Sequence, residues 1–462
     1  MTFGKALKFV VVVVLALLAY FMTAPLESEM RVTFALLAMA SALWITEALP
    51  LGVTALIIAL AQPLLGIQPF RDALEPFFDP IIALFLGALF LAIAFEKQDL
   101  DEILAQRILE RLGDNAKTLV LGMMFIAAFL AMWMTITATA ALMIPLALRL
   151  TIEAKREKDK ENFSKIMVLS MAYAASAGAI ASLVGTPPNL IAAGLLQRIV
   201  GYNLTFVRWG LYGLPISIVL ILLIWVLLFR FFPIEAKKVQ KPKERFTSLN
   251  KKQKLTLAIF VLAVVLWVTR QLPDPIAAFI GWQGHGISES MVAIFIAVLL
   301  FLPGLLGQND IAKIDWNTLL LFGGGLSLGS ALEVSGLTDW IGLNLTNAVG
   351  TGSYITLFVI LGFSTLVFTM IASNTACANI LVPIAISVGL TTGISPAILA
   401  VFTAIVSTLD FMLPIGTPAN AIAYSTGKVK MREMVKTGLL LDIVGVLVTI
   451  AFALTIWTLV PT

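Results

Sequence analysis

Three adjacent polar residues, Ser373, Asn374 and Thr375, stand inside the apolar run 365–389, TLVFTMIASNTACANILVPIAISVG. Hydroxyls and an amide at that depth are costly unless something polar meets them. The pattern occurs a second time, 238 residues earlier: 135–147 (TITATAALMIPLA) aligns without a gap on 373–385 (SNTACANILVPIA), so that Thr135 falls on Ser373, Thr137 on Thr375 and Pro145 on Pro383. A second interruption is also duplicated, as GTPPN at Gly185–Asn189 and GTPAN at Gly416–Asn420. Hydroxyls, amides, glycines and prolines in these positions do noncovalent work. Proline removes a backbone donor and leaves carbonyls free, which is tolerated where they line a cavity. Interrupted helices present free N–H groups and positive dipole ends, which suit an anion, and a bound cation would add positive charge. The expected substrate contacts are Thr137, Thr186, Pro187, Ser373, Asn374, Thr375, Thr417 and Pro418, with Asn189 and Asn420 pinning the broken helices.

Composition sets the surroundings. The 462 residues are 60% hydrophobic and only 13% charged, too few polar groups to cover a water-soluble globule. Repeated apolar stretches of about 18 or more residues indicate a polytopic membrane protein. One cysteine, Cys377, and one histidine, His285, leave no disulfide framework and no Cys/His metal cluster. The net charge of +4 comes from basic residues in loops between apolar spans, so it reports topology and not a nucleic-acid partner. The sequence offers neither a nucleophile with its base nor a continuous polar pore, so an enzyme and a channel are not expected.

Apolar runs at 9–24, 32–49, 51–67 and 80–95 read as four spans, the first an uncleaved helix. An amphipathic stretch follows, with Leu100, Ile103, Leu104 and Ile108 opposite charges, suited to the membrane interface. From 118 to 150 the chain is apolar for 33 residues, roughly 50 Å as one helix. Cut at Thr135–Thr137, each half is too short to span, and a re-entrant hairpin is the economical solution. The segment 353–389 reads the same way. After a solvated charged loop, EAKREKDKENFSK, a long span at 166–200 is broken at GTPPN, and its counterpart at 397–427 is broken at GTPAN. A third match puts Gly87, Glu96 and Leu100 on Gly324, Glu333 and Leu337. The expected organisation is therefore all-α, with about eleven spans in two repeats, 1–230 and 255–462, joined by a basic linker at 231–254.

Loop charge orients the repeats. With the N-terminus cytoplasmic and the C-terminus outside, all of the 31 lysines and arginines except Arg31, Arg71, Arg198, Arg208 and Arg270 fall on the inner side. The loop after the first hairpin is basic, whereas TTGIS after the second is uncharged, so the hairpins are expected to enter from opposite faces. Such inverted repeats place a transporter's site at their interface near the midplane.

The paired tips, together with L-V-G-T-P-P-N and L-P-I-G-T-P-A-N, resemble the divalent anion sodium symporter family over essentially the whole chain. The resemblance implies transport of dicarboxylates, tricarboxylates or sulfate by an elevator-like motion, in a homodimer in a bacterial or archaeal plasma membrane. It also implies a sodium ion in the second half, held by oxygens of Thr369, Ala372, Asn374 and Gly416. In the first half this chain departs from the pattern. Ala131 and Ile136 stand where sodium-coupled members carry a serine and an asparagine, leaving Thr135 and the Gly185 carbonyl as a weakened site. Sodium symport and sodium-independent anion exchange both stay open, and threonines and glycines do not choose among succinate, malate, citrate and sulfate.

Other features have plainer readings. FGGGL at Phe322–Leu326 lacks the Lys-Ser/Thr of a phosphate loop and suits close helix packing. His285 and the 270–288 loop are expected in solvent. Asp410 is a proton carrier or the partner in a structural hydrogen bond.

Overall fold

The computed structural model describes residues 3–241, 248–272, 274–349 and 354–460. Among them the only strands are two-residue pieces, and the rest of the regular structure is helical. Six helices among the described residues are long and apolar enough to cross a membrane, or seven when the bent pair Trp316–Val334 and Leu337–Asn347 (76°) counts as one span. Several of the other expected spans and arms correspond to shorter apolar helices, among them Leu51–Leu64, Glu289–Phe301 and Pro396–Ser407. Large apolar side chains such as Phe21, Leu60, Val226, Val261 and Val367 stand exposed on the outer helices, a surface that lipid covers.

The first hairpin consists of Ala116–Ala131 and Ile136–Leu148, broken at 132–135, slightly before the expected cut. Its two ends meet at one short strand: Asn115 bridges Lys238, while Thr151–Ile152 pair antiparallel with Val239–Gln240. A continuous helix of that length would separate them by about 50 Å, so the chain enters and leaves at one place. The basic linker is thus in part a clamp across the mouth of the hairpin, whereas its residues 242–247 lie outside those described.

The second hairpin consists of Tyr354–Ile371 and Asn374–Thr392. These arms, of 18 and 19 residues, are long enough to cross a bilayer, so length does not force re-entry as the sequence suggested. Contacts show that the two arms fold back on each other. Cys377 Sγ lies 3.6 Å from the Thr365 carbonyl oxygen, and Thr391 Oγ1 lies 3.3 Å from Thr346 Oγ1 on the helix that precedes the hairpin.

Each hairpin packs against a buried post. In the first half this is Glu157–Ala179, buried almost all round from Phe163 onward. The charged stretch expected as a loop therefore forms its first turns, and Lys165 is buried between Glu161 and Glu433, 2.6 Å from each. In the second half the post is Pro396–Ser407, buried from Ala397 to its end. A Cβ on Gly178 would come 2.2 Å from the Ala128 α-carbon, so only glycine permits the first hairpin arm to sit this close to its post. The FGGGL run also serves close packing: Cβ atoms there would meet Phe77, Ala55 and Asn379.

The third sequence match has a structural counterpart. Pro80–Lys97 turns into Leu100–Arg111 through Asp99 at φ 53°, and Trp316–Val334 turns into Leu337–Val349 through Gly336 at φ 71°. Both junctions use the left-handed region, which glycine enters freely and aspartate tolerates. The helix Leu100–Arg111 buries Leu100, Asp101, Ala105 and Leu109, while Ile103, Leu104 and Ile108 are half-buried. Its inward stripe is therefore offset from the expected one. His285 is half-buried, with Nε2 2.7 Å from the Leu266 carbonyl oxygen, and is not loose in solvent.

Candidate functional site

Four helices begin at one cavity of about 280 Å³. Their N-caps are Thr135, Thr186, Ser373 and Thr417, and all four residues line it. Thr135 Oγ1 accepts from Ala138 N at 3.1 Å and Ser373 Oγ from Ala376 N at 3.2 Å, the same cap at each hairpin tip. Thr417 Oγ1 accepts from Asn420 N at 3.2 Å, whereas the Thr186 hydroxyl makes no capping bond. Pro187 and Pro418 occupy the first helical positions, where a missing N–H costs nothing.

The breaks are held by matching amides. Asn189 Nδ2 donates to the carbonyls of Ala179 (3.0 Å) and Ser182 (2.7 Å). Asn420 Nδ2 donates to Asp410 (2.8 Å) and Leu413 (3.0 Å), carbonyls at the same two sequence separations. Each pair satisfies backbone oxygens that the break frees from helical bonding, and losing an amide would leave them unpaired at about 1–3 kcal/mol.

The tips and breaks bring Thr137, Thr186, Pro187, Ser373, Asn374, Thr375, Thr417 and Pro418 together in the lining, along with Thr135, Gly185 and Gly416. Thr369 and Ala372 are buried behind the second tip and do not line the cavity. The sequence reading missed the facing wall. Phe85, Ala88 and Leu89 of one helix form its apolar part, and Asp315 and Thr318 stand at an exposed rim. No local pattern distinguishes such a wall from other membrane helices. Trp133, also unforeseen, stacks on Phe206 and Trp267 and fixes the first tip against them.

Among the described residues no Lys, Arg or His lines the cavity, and Asp315 is the one charged residue that does. The positive potential therefore comes from backbone. Each helix N-terminus is equivalent to roughly half an elementary charge, so four amount to roughly +2. That balances a divalent anion.

A cation fits one half better than the other. Behind the second tip, Thr369 Oγ1, Asn374 Oδ1 and the Ser407 carbonyl oxygen converge, with 2.9 and 2.5 Å separating Thr369 from its neighbours. Hard oxygens in that arrangement suit sodium. In the first half, Ile136 packs with Ala131, Ala175 and Ala179 into a small apolar cluster, and the Thr135 hydroxyl is used as a cap. That hydrocarbon fill does not fit a cation.

The family described as sodium:sulfate symporter transmembrane region matches residues 4–462. A protein named sodium-dependent dicarboxylate transporter SdcS, from Staphylococcus saprophyticus, is 31% identical over 442 residues, covering 90% of this chain and 84% of its own. An uncharacterized transporter of Haemophilus influenzae is 35% identical over 437 residues, covering 94% and 93%. Among solved structures, the Alcanivorax borkumensis YdaH transporter aligns with a TM-score of 0.59 over 83% of this chain and 87% of that one. At 14% identity this likeness speaks for the fold alone. With a match that runs from residue 4 to the last residue and tips and breaks arranged around one cavity, this chain belongs to the sodium:sulfate symporter family of membrane transporters.

Proposed function

We propose that the protein is a secondary active transporter of small divalent anions, C4-dicarboxylates foremost, coupled to sodium through elevator-type alternating access. The observation that carries this reading is the convergence of four helix N-termini on a cavity with no basic side chain among the described residues. Fixed dipoles balance two negative charges without trapping the anion in an ion pair, and release is part of transport. A volume near the lower end of ligand pockets, roughly 300–1,000 Å³, favours a small substrate. Relatives named for sodium-dependent dicarboxylate transport support both the anion class and the coupling ion.

In this reading Thr137, Thr186, Pro187, Ser373, Asn374, Thr375, Thr417 and Pro418 surround the anion, and Thr369, Ala372, Asn374 and Gly416 supply oxygens to one sodium ion. Thr135 and Gly185 mark the first-half position, which the Ile136 cluster fills. The two repeats, 1–230 and 255–462, lie inverted in a plasma membrane with the N-terminus cytoplasmic and the C-terminus outside, and two copies form a homodimer.

The apolar first-half position also favours a second reading, sodium-independent exchange of di- or tricarboxylates. Sulfate transport is the remaining alternative. Proteoliposome uptake of labelled succinate, citrate and sulfate, with sodium or choline outside and with or without internal anion, tests all three. Sodium-driven succinate uptake into empty vesicles supports the main reading. Uptake only against internal anion and indifferent to sodium supports exchange, and no uptake of any of the three rejects the site.

A further inference from the structure

We infer that Asp410 is the anionic ligand of a monovalent cation held behind the second break, a ligand outside the neutral oxygen set assigned above. The inference rests on the sodium-coupled reading for the identity of the cation and otherwise on geometry. Asp410 is completely buried, and neither carboxylate oxygen has a hydrogen-bond partner among the described residues. Its backbone carbonyl is held by Asn420 Nδ2 at 2.8 Å, within a loop anchored by the bond from Phe411 N to Asp442 Oδ1 at 2.8 Å. The side chain therefore cannot leave for water without dismantling the break.

Its surroundings are polar but carry no positive charge. Asp442, also completely buried, has Oδ2 unpartnered among the described residues, and the Tyr173 side chain is buried as well. Asp442, Tyr173 and Cys377, from the last long helix, the first post and the second hairpin, are close enough to interact electrostatically with Asp410. None of these three carries a positive charge. Orphaned carboxylate oxygens in an apolar interior are unfavourable unless a cation or a proton joins them.

Gly416 gives the cluster its connection to transport. A Cβ there would fall 1.8 Å from Asp410 Oδ2 and 2.4 Å from Oδ1, so the carboxylate lies directly against the glycine α-carbon. Gly416 also lines the anion cavity. A buried carboxylate and a bound dianion would thus stand on either side of one glycine, repelling each other at low dielectric. A cation between them turns that repulsion into mutual dependence, which is the requirement for coupling. A divalent metal is disfavoured, because no group of three His, Cys, Asp or Glu side chains among the described residues could hold one. A hard monovalent ion, sodium, matches oxygens from one carboxylate, hydroxyls and carbonyls.

The test uses purified full-length protein in detergent, with unfolding midpoints read against NaCl, with choline chloride as the control, without and with succinate. Wild type is expected to be stabilised by sodium alone, saturably. Asp410→Asn, which keeps shape and removes charge, is expected to need at least tenfold more sodium for the same shift. Asp410→Ser, read by direct binding of radioactive sodium, covers the case in which the asparagine variant does not fold. An unchanged sodium half-point in Asp410→Asn, or unchanged sodium binding in Asp410→Ser, overturns the inference, since the carboxyl is then neutral and not a ligand. Wild type stabilised by succinate but not by sodium also overturns it, while leaving anion transport standing. Wild type stabilised by sodium in an Asp410-dependent way but by no anion supports the inference and counts against the proposed substrate class.

Discussion

Thr369 Oγ1 lies 2.9 Å from Asn374 Oδ1 across the second tip, and the same hydroxyl reaches the Ser407 carbonyl oxygen at 2.5 Å. One hydroxyl hydrogen serves two acceptors. A cation relieves the crowding of three oxygens, and so does turning the Asn374 amide over so that Nδ2 donates to Thr369. In either case Asn374 couples the cavity, which it lines, to the oxygens behind it.

Asn374→Ala should therefore remove two responses together. Stabilisation by succinate and stabilisation by sodium should both fall by at least tenfold in apparent affinity, with uptake lost. Full uptake in this variant would show that the tip does not form the site.

The first half offers a gain-of-function test. Ile136 is packed with Ala131, Ala175 and Ala179, so any sodium coupling should show low apparent cooperativity. Ala131→Ser with Ile136→Asn should steepen the sodium dependence of uptake. It should also destabilise the sodium-free protein by about 1–3 kcal/mol, because polar groups replace hydrocarbon without new partners. A steep, multi-ion dependence in wild type would mean that other groups supply the missing ligands.

Topology is open to direct labelling. Lys158 is exposed at the start of the first post and Thr391 is half-buried at the end of the second hairpin. Cysteines at these positions should react with impermeant reagents from opposite sides of the membrane. The native Cys377 is fully buried and should stay silent. Labelling of both from one side would refute the inversion.

Asp101 makes a prediction about pH. Burial at the inward stripe of Leu100–Arg111 pushes its carboxyl up to about 6, with Glu96 and Asp99 adding to the rise and backbone N–H groups opposing it. A carboxyl raised in the folded state contributes fully below its ordinary value of 3.8, and that contribution is lost as the pH rises to about 6. Asp101→Asn should match wild type in acid and exceed it by about 1–3 kcal/mol at neutral pH. Unfolding midpoints of both proteins between pH 4 and pH 7.5 check this. Parallel curves would mean that the group titrates normally.

The sequence by itself determined the membrane class, the duplication, the positions of both tips and both breaks, and the pinning role of Asn189 and Asn420. Those features are local. An apolar run fixes its solvent, a polar triplet inside it demands a partner, and an asparagine two residues after a Gly-Thr-Pro break is within reach of the carbonyls that the break frees. The order of repeats followed because the same local problems recurred in the same order, at offsets of 237, 238 and 231 residues. Tertiary structure alone decided the rest. That the second hairpin reverses depends on contacts such as Cys377 with Thr365, since its arms are each long enough to span. The apolar wall at Phe85, the stack on Trp133 and the clamp of Val239–Gln240 across the first hairpin join segments far apart in sequence. Asp410 illustrates the division most clearly. Its charge and depth were legible from sequence, whereas the lack of a hydrogen-bonding partner for its carboxylate among the described residues and its contact with Gly416 arise only when the loop folds back around Asn420. Local patterns fix what a segment needs, and long-range packing decides which other segment meets that need.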